Sequence, residues 1–187
     1  MIGFRNSVSI ISLLFLFSCA EETIRFATHD KSDSLQLANH IAQYFLTEGY
    51  YLKVQLIQTE NVFDAFVNNE VDIVLEATPE ILPEKAIVLG ELHEGCGSVK
   101  IISSSFHEKH PELSSLIEHM QLPKNKLAWS LSWTKDNEQT WKVGATHFIN
   151  NNQSRWKKWG MEQSRMDAIK STLKKDVAAL LADKVPL

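Results

Sequence analysis

The chain has 187 residues, of which 44% are apolar and 22% charged; this ordinary globular balance excludes disorder and collagen-like structure and suits one domain with a short appendage. Its 23 acidic residues outnumber the 19 basic ones, for a formal charge of −4 with no basic block, so nucleic acid is not an expected partner. The 7 glycines form no G-x-G-x-x-G or G-x-x-x-x-G-K run, and no glycine loop that would cradle a phosphate is expected.

Residues 1–18 read as a secretion signal. Arg5 supplies the positive start, and residues 8–17 form an apolar run too short to span a bilayer. The run ends in Leu16-Phe17-Ser18-Cys19, which resembles a bacterial lipobox, in which the cysteine is acylated and becomes the new N-terminus. The expectation is a chain exported across the cytoplasmic membrane and held by lipid at Cys19, on the periplasmic side or cell surface, with residues 19–22 as the tether. An ordinary signal peptide with an incidental Cys19 is the alternative. With Cys19 carrying lipid, Cys96 has no partner within the chain, so the core rather than a disulfide framework must stabilise the fold.

From residue 23 the pattern predicts alternating strands and helices. Thr23 to Thr28 reads as a strand, and Leu35, Ala38, Ile41, Ala42 and Phe45 mark one face of a helix ending near Gly49. Leu52, Val54 and Leu56 alternate with polar residues as a second strand. Asn61 is placed to cap a short helix containing Val62, Phe63, Phe66 and Val67, and residues 71–75 form a nearly continuous buried strand. This β-α-β-α-β order predicts an α/β fold with a parallel sheet, whose ligands bind beyond the carboxyl ends of the strands. Two further apolar runs, 86–89 and 99–102, flank the turn-rich residues 94–97. Beyond Pro111 the pattern is helical, broken at Leu122-Pro123, and residues 161–187 repeat it as an amphipathic extension with Met166, Ile169, Leu173, Val177 and Leu180 on one stripe.

A search for chemistry yields little. His107 and His110 are three apart, not the i, i+4 spacing of a helical zinc site, and are expected as solvated helix-entry residues. His93, Glu94 and Cys96 fall in one turn without a distant fourth ligand, and read as a surface loop. No G-x-S-x-G run occurs, and nothing in the sequence brings Cys96 to a histidine. No catalytic residue, metal or cofactor is assigned. Trp129, Trp133, Trp141 and Trp156 recur at helical spacing, which predicts packing against the sheet rather than an aromatic cage.

The stretch Asp72-Ile73-Val74-Leu75-Glu76-Ala77-Thr78-Pro79-Glu80, following the lipobox and the β-α-β-α-β order, resembles the substrate-binding proteins of glycine betaine, choline and proline ABC transporters. In that family a similar stretch ends Leu-Glu-x-Trp-Pro-Glu. Residues 87–93, 106–113, 120–123 and 156–159 also resemble family segments, so the likeness covers residues 23–160. It implies a type II periplasmic-binding-protein lobe and a non-enzymatic lipoprotein, with a zwitterionic or quaternary-ammonium ligand and an ABC permease as partners. Two departures matter. The family inserts a second lobe about where Gly95-Cys96-Gly97 lies here, whereas this chain passes almost directly to the returning strand, which implies a single lobe. Thr78 also replaces the aromatic wall of the family's Trp-Pro. A single lobe offers half of a closing cleft, so binding is expected to be weakened or altered unless self-association or another protein covers it. The ligand residues implied are Thr28, His29, Asp30 and Ser32 after the first strand, Glu60 and Asn61 after the second, and Glu76 and Thr78 after the third. The alternative is an accessory or structural lipoprotein that uses the lobe for protein interaction and binds no small ligand.

Overall fold

The computed structural model describes residues 23–29 and 32–159, together with helical positions 167, 170–172, 174–175 and 178–179. Strand β1 (Thr23–Thr28), helix α1 (Asp33–Tyr50), β2 (Lys53–Gln58), α2 (Val62–Val67) and β3 (Ile73–Ala77) follow the expected alternation. Next come β4 (Ala86–Glu91), β5 (Val99–Ser103), α3 (Ser104–Lys109), α4 (Pro111–His119), α5 (Lys124–Asp136) and α6 (Trp141–Asn151), and a 3-10 turn covers Gln153–Trp159.

Local chemistry sets the helix ends. Ser32 Oγ accepts from Leu35 N at 3.1 Å and Asn61 Oδ1 from Asp64 N at 3.2 Å, each satisfying an orphan donor of α1 or α2. Helix α1 runs one residue past the expected glycine stop. Gly49 stays helical and buried, and the left-handed position falls to Tyr51 at φ 56°. That conformation is uncommon for a residue with a Cβ.

The five strands form one sheet in the order β2-β1-β3-β5-β4. Strand β1 is parallel to β2 and β3, while β5 is antiparallel to both β3 and β4. Four strands therefore point one way, and the parallel expectation is corrected at β5. Its connection from β4 is too short for a crossover helix, so the chain must double back.

Both faces of the sheet are covered. Phe26, Ile73, Leu75 and Ile102 pack beneath α1, α4 and α6, whereas Ala27, Val74 and Ile101 pack against Ala65 and Phe66 of α2. Strand β3 reads as an unbroken apolar run because its residues alternate between these two cores. Each buried leucine, isoleucine or phenylalanine contributes about 1.5–3 kcal/mol. The strand starts two residues later than the apolar run, since the Asp72 carboxylate is taken up by Arg25.

The tryptophans divide. Trp156 and Trp159 are buried, edge-on to Phe45 of α1 at 5.6 and 4.6 Å, as expected of core residues. Trp129 and Trp133 do not reach the sheet: they bracket His147 of α6, Trp133 stacking on it at 3.9 Å, and Trp129 is 48% exposed. Burial lowers the His147 pKa. His107 is exposed as expected, but it belongs to α3, a short helix the pattern did not indicate. In the C-terminal extension the described positions are helical, and Asp167, Lys170 and Lys174 are exposed. The apolar stripe through Met166, Ile169, Leu173, Val177 and Leu180 lies outside the described residues, as do the signal segment and Cys19.

Candidate functional site

The carboxyl ends of β1, β2, β3 and β4 gather on one edge of the sheet, joined there by the loop from β4 to β5. Glu76, next to last in β3, is half-buried, and three influences act on its carboxyl. Burial raises its pKa above the usual carboxylate value, while the nearby His93 and His29 pull it down. The sheet order explains that meeting. His29 follows β1 on one side of β3, and on the other side Ala77 pairs with Val99 at the end of the loop that carries His93.

Glu76 and Thr78 line a cavity of about 140 Å³. Phe63 and Phe66 of α2 form one side, with Val74 and Ile101 of the sheet behind them and Ile81 and Pro83 from the loop after β3. A groove of about 630 Å³ adjoins it, sharing Phe63, Phe66 and Pro83 and continuing past Val67 to Glu84, Lys85 and Glu108. Phe63, Val67 and Ile81 are 40%, 51% and 62% exposed, an unusual concentration of bare apolar side chains around one opening.

The sequence-derived ligand residues are only partly brought together. Glu76 and Thr78 share the cavity, and His29 acts on Glu76. Thr28 lies on the same strand face as Ile24 and Phe26, toward α1, and its buried Oγ1 has no hydrogen-bond partner among the described residues. Ser32 and Asn61 are occupied as helix caps, and Glu60 is exposed at the end of β2. Asp30 lies outside the described residues. Three residues of the site were not singled out for it. In the sequence Phe63 and Phe66 signal only helix periodicity, although a six-residue helix with five apolar side chains has more than it can bury. His93 was weighed only as a metal ligand.

Among the described residues no three His, Cys, Asp or Glu side chains gather as a metal set. The Cys96 thiol is engaged by Ser98, whose Oγ lies 3.4 Å from Sγ.

No family model and no curated protein matches the sequence. Solved structures do match. The glycine betaine/L-proline-binding protein (ProX) of an ABC transporter from Borrelia burgdorferi superposes with a TM-score of 0.68 at 7% identity, over 79% of this chain and 100% of that one. Lactococcal OpuAC, closed on glycine betaine, gives 0.62 at 9% identity over 74% of this chain and 99% of its own. An ABC-transporter choline-binding protein in complex with choline gives 0.62 at 8% identity over 82% and 99%. The chain thus has the fold of these substrate-binding proteins.

Proposed function

We propose that the protein is a non-enzymatic, solute-binding-type lipoprotein, anchored through Cys19 outside the cytoplasmic membrane, that takes a quaternary-ammonium or zwitterionic solute at the cavity beside Glu76 and serves an ABC permease. The observation that carries the proposal is the position of Glu76: a half-buried carboxylate at a strand end, faced by Phe63 and Phe66, in a fold whose neighbours bind glycine betaine, proline or choline. Phe63 and Phe66 offer π faces where Thr78 offers none.

Of the eight sequence-derived ligand residues, Glu76 and Thr78 line this cavity and His29 acts on Glu76, while Asp30 lies outside the described residues. Titration calorimetry of the full chain with glycine betaine, choline, carnitine and proline tests the reading: saturable heat whose affinity falls in Glu76→Gln supports it, and silence across the panel refutes it. The anchor has its own test, since labelling with a palmitate analogue should be lost in Cys19→Ser. The bare apolar side chains of Phe63, Val67 and Ile81 favour a second reading, an accessory lipoprotein that binds another protein there and no small ligand.

A further inference from the structure

We infer that the cavity beside Glu76 selects an organic cation, an alkylammonium without an acidic group, over a zwitterion. This inference rests on the solute-binding reading and names its ligand class. Among the described residues lining the cavity, Glu76 is the sole ionisable side chain; the others are apolar or, in Thr78, a neutral hydroxyl. A carboxylate held among phenylalanine, valine and isoleucine side chains has given up much of its hydration. A cation restores what burial removed, and it would lie beside the Phe63 and Phe66 rings, a residue type whose faces attract cations.

A zwitterion meets a different balance. Its ammonium gains the same contacts, but its own carboxylate is carried a few bonds away into the same cavity, where like charges repel strongly in a poorly hydrated space. Among the described residues, no lysine or arginine lines the cavity to receive that second charge. The adjoining groove does not supply it either, because Glu84 and Glu108 there outnumber Lys85. The two histidines that act on Glu76 are not among the lining residues, so they moderate the carboxylate from outside the space a ligand would fill.

The test is calorimetric titration of the full chain with tetramethylammonium, choline and glycine betaine at pH 8, where the carboxylate of the ligand is ionised. Choline and tetramethylammonium should bind at least tenfold more tightly than glycine betaine, and Glu76→Gln should narrow that gap to less than threefold. The wild-type comparison decides by itself, so a misfolded variant leaves the test intact. Saturable glycine betaine binding equal to or tighter than choline binding overturns the inference while the solute-binding reading stands. No saturable heat with any of the three overturns the inference, and silence with carnitine and proline as well overturns the solute-binding reading too.

Discussion

Arg25 and Asp72 close a two-pronged bridge between β1 and the entry to β3. Asp72 Oδ1 accepts from Arg25 Nη2 at 2.8 Å, and Oδ2 accepts from Nε at 3.1 Å and from the Arg25 backbone amide at 2.9 Å. Asp72 N returns a bond to Arg25 O at 2.8 Å. The fork replaces strand pairing at this point: Phe26 with Ile73 is the one register pair between β1 and β3. It therefore fixes the register that brings Glu76 to the carboxyl edge of the sheet. Asp72→Ala should cost about 2–3 kcal/mol, the scale of hydrogen bonds to charged groups, read as a lower denaturation midpoint. A loss within a few tenths of a kcal/mol of zero would show that strand pairing alone sets the register.

The packing of α1, α5 and α6 depends on a close approach at Gly144. A Cβ there would overlap Thr134 Oγ1 and lie 3.2 Å from Leu37 Cδ1. Thr134 has little freedom to move, because its hydroxyl donates to Ser130 O at 2.7 Å. Gly144→Ala should destabilise by about 1–3 kcal/mol as overpacking does, and adding Thr134→Ala should recover more than half of the loss. Equal denaturation curves for wild type and Gly144→Ala would remove the constraint.

Lys100 is fully buried in β5, and its Nζ donates to the carbonyls of Ile117, Glu118 and Met120 at 2.7–2.9 Å. It closes the C-terminus of α4, where carbonyls lack helical partners and a cation is favoured. Lys100→Met removes this donor from all three carbonyls, of which Ile117 O still accepts from Met120 N at 3.3 Å, and should cost about 2–4 kcal/mol at pH 7. Burial lowers the Lys100 pKa from 10.5 to about 8 in the folded state, against the attraction of Glu118. Between those two values the unfolded chain holds the proton that the folded chain has released, so the wild type gains stability as pH rises through the window. The gap between wild type and Lys100→Met should therefore widen from pH 8 to pH 10.5; a constant gap would contradict the shift.

Glu76 runs the other way. Burial raises its carboxyl pKa above 4.5, opposed by His93 and His29, so just above that value the folded state holds a proton the unfolded state has lost. Its contribution to stability is present at acid pH and is lost as pH rises through the folded-state pKa. Glu76→Gln should raise the thermal midpoint at pH 7, and the gain should shrink as pH falls through the folded-state pKa toward 4.5. A carboxylate that lowers stability at its own position is the trade expected of a binding residue. A variant less stable than wild type at pH 7 would mark Glu76 as structural.

Much of the fold was legible because local signals and burial agree. Ser32 and Asn61 cap the helices they precede, and β3 carries the apolar run of a strand buried on both faces. The antiparallel β5 was not legible, since period-2 patterning carries no direction. Trp129 and Trp133 were misplaced for a related reason: helical spacing gives a shared face but not what that face meets, and here it meets His147. Lys100 gave no signal at all, because a lysine in a strand is ordinarily solvated and the acceptors that hold it lie well beyond it in the chain.

For the candidate site, the sequence by itself determined that Glu76 and Thr78 lie at the carboxyl end of the third strand and that the strand ends gather on one edge, because alternating βαβ units have few ways to pack. Tertiary structure alone decided which side chains share a space. It put Phe63 and Phe66 beside Glu76, turned Thr28 toward α1, and brought His29 and His93 to one carboxylate from opposite neighbours of β3. Those relations depend on strand order and on the face each residue occupies, and both are set only when the two cores form together on either side of the sheet.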